Sequence, residues 1–162
     1  MPSSATTRTH NAPAVKLRGE AREVVLGEAQ AVLAMVADDE RRGRLAALVA
    51  AVDEGEIAGD DAQALEELLE LGLQTGRVRA LYGPGGEAAA LRVYRQLPRG
   101  KKAGEAAREV TQALSSLEGT TLERVALQAV GPAAFVLSLA AGGTELSVRL
   151  DRQGARLTSV GI

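Results

Sequence analysis

Apolar and polar positions alternate most regularly in the last quarter of the chain. Leu146, Val148 and Leu150 alternate with Glu145, Ser147, Arg149 and Asp151, the two-residue period of a strand with one covered and one wet face. Phe135, Leu137 and Leu139 alternate with Val136, Ser138 and Ala140, and Val125, Leu127 and Ala129 with Arg124, Ala126 and Gln128. Leu157 or Val160, with Ile162, marks a fourth strand whose register the pattern leaves open. Gly131-Pro132, Gly142-Gly143 and Asp151-Arg152-Gln153-Gly154 separate these runs. Two adjacent glycines supply the positive φ of a tight hairpin, and the last tetrad reads as a type I turn closed by a left-handed glycine. Connections this short force antiparallel neighbours. Thr121 to Ile162 therefore predicts a four-stranded antiparallel meander with one apolar face to be covered.

Upstream the period lengthens to that of helices. Val24, Val25, Leu26, Ala29, Val32, Leu33 and Val36 recur every three or four residues. Asp38-Asp39 offers a break or an N-cap, and Leu45, Leu48, Val49 and Val52 then continue the period. Arg41, Arg42 and Arg44 stand where a helix dipole disfavours cations. Either one long bent helix runs through Asp38 to Arg44, or an acidic partner holds the arginines. Gly55 reads as a stop. Asp60 with Gln63 is a loose capping box opening a helix with Leu65, Leu68, Leu69, Leu71 and Leu73, which Gly76 ends.

Arg77 to Tyr82 predicts a short strand or extended connector, Gly83-Pro84-Gly85-Gly86 a loop, and Glu87 to about Leu97 a helix ended by Pro98 and Gly100. A last helix is expected from about Gly104 to Leu117, with Ala107, Val110, Leu114 and Leu117 as its stripe. Met1 to about Lys16 has no periodicity and reads as a disordered tail, a candidate docking peptide. The expected organisation is thus a tail over residues 1–16, a helical region over 17–100, and a helix plus meander over 101–162, in one shared core or two. The fold class is α+β: N-terminal amphipathic helices, then a four-stranded antiparallel meander packed on the 104–117 helix. In element order, Gly104 to Ile162 resembles cystatin-like folds and the cone fold of the nuclear transport factor family.

Composition narrows the function classes. With 162 residues, 46% hydrophobic and 25% charged, the chain can bury a core of ordinary globular make-up. It has no cysteine, so disulfides and thiolate chemistry are impossible. Its only aromatics are Tyr82, Tyr94 and Phe135, too few for a base-stacking platform. That scarcity and a net charge of −2 argue against nucleic acid. No apolar run is long enough to span a bilayer and no secretory leader is apparent, so a cytoplasmic location is the default expectation.

The candidate chemistry is sparse. The one histidine is His10, in the tail, which leaves no Ser-His-acid system. Asp53 to Asp61 is acidic but lacks the ligand spacing of a calcium loop. Gly83-Pro84-Gly85-Gly86 before a helix could face an anion, yet it matches neither the dinucleotide fingerprint nor the P-loop. No cofactor or metal motif is expected. Charge is segregated: Asp53 to Glu70 carries eight acids and no base, while Gly76 to Lys102 carries seven bases against Glu87. Glu66, Glu67 and Glu70 on one side and Arg92, Arg95, Arg99, Lys101 and Lys102 on the other are the candidate interaction residues. Such blocks can face each other within the fold, between protomers or toward a partner, setting orientation more than affinity.

The leading expectation is a non-enzymatic interaction or scaffold protein that self-associates, because several greasy helical stripes exceed what one small sheet can cover and the last strand, with Val160 and Ile162, offers an exposed edge open to pairing. The alternative is a small-ligand module with an apolar pocket between the meander and the 104–117 helix. A third reading, an enzyme with a carboxylate base, requires buried acids.

Overall fold

The structure is a computed structural model that describes residues 14–161; the expectations for residues 1–13 and for Ile162 lie outside them. Five helices precede a four-stranded antiparallel sheet, an α+β fold. The chain divides into two compact units, Met1–Arg99 and Gly100–Ile162.

The first unit holds α1 (Gly19–Met35), α2 (Asp39–Glu54), α3 (Gly59–Gln74), α4 (Arg77–Tyr94) and a two-stranded ribbon of β1 (Val15–Lys16) and β2 (Glu56–Ile57). Val15 and Lys16 are thus strand, not tail, and buried Val15 and Leu17 join the core. Asp38 breaks the long period and caps α2, its Oδ1 accepting from the Arg41 N–H at 2.8 Å. Of the alternatives the sequence left open here, the N-cap is the one found and the long bent helix is not: the segment is two helices. Arg42 needs no outside acid: its Nη2 donates to the Val36 carbonyl at 2.8 Å, satisfying the end of α1. Gly55 stops α2 at φ 82°.

Three boundaries differ from the sequence expectation. α3 starts at Gly59 with no side-chain cap, so Asp60 and Gln63 form no capping box; Asp60 and Asp61 instead sit in the first turn, where the dipole favours acids. Arg77 to Tyr82 is helix rather than strand or connector. Val78 and Tyr82 are four apart, a spacing that serves a helix face as well as a strand face. Gly83 (φ 69°, ψ −174°) kinks α4 instead of opening a loop, and Pro84 restarts it, its missing N–H being tolerated in a first turn. Last, α5 (Pro98–Ser115) begins at Pro98, so that proline starts a helix instead of ending one.

The core of this unit is helix on helix. Val24, Val25, Ala29 and Val32 of α1 pack with Leu45, Leu48 and Val52 of α2, Leu65, Leu68 and Leu69 of α3, and Val78, Ala90 and Val93 of α4. The stripes of α1 to α4 cover one another. The expectation that they wait for the meander or for other molecules is corrected by this packing.

The second unit is the meander, β3 (Leu122–Gly131), β4 (Ala134–Ala141), β5 (Thr144–Asp151) and β6 (Gly154–Gly161), in that spatial order. Gly142 and Gly143, at φ 56° and 79°, make the tight β4–β5 turn. The β3–β4 turn puts Ala133 at φ 52°, a left-handed position without glycine. The register aligns the predicted apolar positions: Val125, Leu139, Leu146 and Val160 form one row across the sheet, and Leu127, Leu137, Val148 and Leu157 the next. Leu157 and Val160 are three apart and cannot share a face in a regular strand. A bulge at Thr158, whose hydroxyl donates to the Ser147 carbonyl at 3.0 Å, brings both to the inner face.

α5 covers that face over β5. Ala113, Leu114 and Leu117 pack with Leu139, Ala141, Leu146 and Leu157. Val110 is buried and Ala107 exposed, so the helix turns Ala106 inward where Ala107 was expected.

Candidate interaction surface

The charged residues singled out from the sequence have distinct fates. Glu66 is buried on α3, and its carboxylate accepts from the Arg99 backbone N–H at 2.5 Å. It thereby caps the start of α5 from another helix. The Arg99 guanidinium reaches Glu70 at 2.6 Å and Glu66 at 3.6 Å. Burial and the carboxylates of Glu70 and Glu66 push the neighbouring Tyr94 hydroxyl above its ordinary pKa. Glu66, Glu70 and Arg99 are therefore engaged with one another within the first unit, one of the three arrangements the opposite charge blocks left open. Glu67 is exposed and accepts from Gln63. Arg92 lies 3.9 Å from Glu20, Arg95 caps the end of α4, and Lys101 and Lys102 are exposed on α5.

The acidic loop and the glycine turn also find internal partners. Arg22 donates to Asp53 through both its carbonyl and its carboxylate. Glu20 faces the α4 kink: a Cβ on Gly85 would lie 3.0 Å from its Oε1. The helix restart that could face an anion thus already has a carboxylate beside it.

Two acids are buried among the described residues, Glu66 and Glu28; the sequence named Glu66 only as an interaction candidate on the polar side of its helix and did not single out Glu28. Glu28 has no exposed surface. Its Oε1 accepts from Arg77 Nη2 at 2.6 Å and Nε at 2.8 Å, while its Oε2 has no partner among the described residues. Gly72 makes room for it: a Cβ there would meet Glu28 Oε1 at 2.9 Å and Val78 Cγ2 at 2.8 Å. Burial, then the Glu28 charge, raise the Tyr82 pKa. Tyr82 is wedged over Gly27, where a Cβ would come within 2.6 Å of its hydroxyl. This cluster ties α1, α3 and α4 together. A groove of about 280 Å³ lies nearby between α2 and α3, lined by Val32, Leu45, Leu68 and Leu71 with Arg41, Arg44, Asp60 and Glu67; Glu28 does not line it. Where α5 meets the meander, the expected site of a ligand pocket, Leu114 and Leu117 pack directly on the sheet.

Exposed apolar residues gather on the β3 side of the sheet, and Met35, Leu71 and Leu81 of the helical unit are exposed as well. On the inner face, Leu146 and Val148 of β5 are 1% and 2% exposed. Two strands away in the same rows, Val125 and Leu127 are 57% and 61% exposed, and Phe135 beside them 40%. Leu122 at the start of β3 is also exposed. The helix covers the middle of the face and leaves apolar residues bare toward both edges, Val125 and Leu127 on β3 and Val160 at 56% on β6, with the larger group on β3. That edge is free: β3 has a neighbour on one side alone among the described residues. Its residues Val125 to Gly131 contain neither charge nor proline, the usual means of keeping an edge from pairing.

On the outer face the picture is polar. Arg124 reaches Glu145 at 2.8 Å across Ala140, which is buried beneath the pair. At the β5–β6 turn Asp151 accepts from Arg156, Arg149 and the Gln153 N–H. Arg156 first, then the Gln153 N–H and Arg149, hold its carboxyl down at about 2. No group of acids or histidine among the described residues is arranged to hold a metal ion, and none of their helices is long and apolar enough to cross a membrane. No protein-family model, curated protein or solved structure matches this chain.

Proposed function

We propose that this chain is a non-enzymatic interaction or scaffold protein that associates with itself through the open side of its C-terminal sheet. The observation that carries this reading is the contrast within single rows: Leu146 and Val148 are sealed, while Val125 and Leu127 of the same rows lie bare beside an edge that is unpaired among the described residues. A contiguous apolar strip rimmed by polar groups is the usual mark of a protein interface. A free strand edge adds a row of backbone donors and acceptors to it. Buried acids are what the enzyme reading requires, but Glu28 and Glu66 are held by arginines and a helix end within packed helices and neither lines the groove between α2 and α3.

Light scattering from about 1 to 100 µM, the range in which modest interfaces dissociate, tests the reading. The wild-type mass should rise to that of two chains, and Leu127→Lys should hold it at one chain with an unchanged circular dichroism spectrum. A wild-type mass of one chain throughout would reject self-association.

A further inference from the structure

We propose that two copies of this chain pair through β3, antiparallel, about a two-fold axis at Ala126, to make one eight-stranded sheet. This rests on the self-association reading above and supplies its mode. Bulges at both ends of β3, next to Glu123 and Val130, leave a regular run from Arg124 to Ala129. The one charge in that run, Arg124, turns inward across the sheet to Glu145. The opposite edge is a poorer template: β6 is broken in mid-strand by the Thr158 bulge and carries Arg156, which is held by Asp151.

The register follows from face and chemistry. A two-fold axis normal to the sheet keeps both apolar faces on one side, so each residue must oppose one on its own face. With the axis at Ala126, Val125 opposes Leu127 of the second copy, twice over, and Arg124 opposes a Gln128 amide. Bulky apolar groups then meet bulky apolar groups, and no like charges meet. Moving the axis to Val125 would set Glu123 against Leu127, and moving it to Leu127 would set Arg124 against Val130 at the bulge. The edge is thus its own best complement, which favours a second copy over a foreign strand.

The absence of cysteine makes the test direct, because Ala126→Cys introduces the only thiol in the chain. Directly opposed residues of an antiparallel pair lie about 4.5–5.5 Å apart at Cα, within disulfide reach. Full-length Ala126→Cys under mild oxidation should give a covalent dimer about tenfold faster than Leu127→Cys alone, whose Cα atoms lie on a diagonal. A mixture of Val125→Cys and Leu127→Cys chains should cross-link to each other, which repeats the test without altering Ala126. Faster homodimer formation by Leu127→Cys would overturn the register. A two-chain mass by light scattering with no cross-link at any of these positions would overturn β3 pairing and leave self-association standing. A one-chain wild-type mass would overturn both.

Discussion

In the helical unit Val25, Leu48, Leu65 and Leu69 have no exposed surface at all, whereas in the sheet unit Val125 and Leu127, on the inner face, are more than half exposed. Both units carry clean amphipathic patterns. The difference lies in how much material each has to cover its apolar side. Four helices and a short ribbon enclose one another, while a single helix spans only the middle of a four-stranded face. Amphipathicity therefore marks which side turns inward, and the count and placement of neighbours decides whether that side ends up dry.

Truncation separates the two most sharply. Leu69→Ala, at a fully buried site among α1, α2 and α4, should cost about 3–5 kcal/mol in urea denaturation of the helical unit. Leu127→Ala, measured below the association range, should stay within about 0.5 kcal/mol of wild type. Equal costs would erase the contrast. Next in size is Arg77→Ala, which strands the Glu28 carboxylate in the core. A loss of about 3 kcal/mol is expected, read as a fall in melting temperature, with Arg77 itself partly solvated. Pairing it with Glu28→Met should recover most of that loss; a double variant no better than Arg77→Ala would mean that the charge is not what matters there.

The smallest effect is a pH dependence confined to the sheet unit. Asp151 titrates at about 2 in the fold, against 3.8 when free. Its folded value is depressed, so it contributes stability above pH 3.8 and loses that contribution as pH falls through about 2. Asp151→Asn should flatten the acid limb of the sheet's unfolding over that interval, monitored by far-ultraviolet circular dichroism, and leave the helical unit unmoved. An unchanged acid limb would mean that the arginines around Asp151 are too solvated to matter.

Much of the sheet was legible because a two-residue period and glycine turns are local properties. The alternation at 125–129, 135–139 and 146–150 named the inner face, and Gly142-Gly143 named a turn. The candidate surface was half legible: Val125, Leu127 and Phe135 could be placed on a face, but their exposure depends on where α5 lies. The pairing of the charged candidates was not legible, because charge along the chain is silent about distance in space. Glu66 and Arg99 are 33 residues apart and meet, with Glu66 serving as a helix cap that no local pattern announces.

What the sequence determined by itself is the set of elements in the meander, the inward side of α1 and α2, and the exclusion of thiol chemistry, all of which follow from residue type and spacing. The helix at 77–82, the start of α5 at Pro98, the burial of Glu28 against Arg77 and the bare strip along β3 were decided by tertiary structure alone. Each depends on which distant group arrives to fill, cap or cover a place, and the free energy of that arrival is not written in any short stretch of chain.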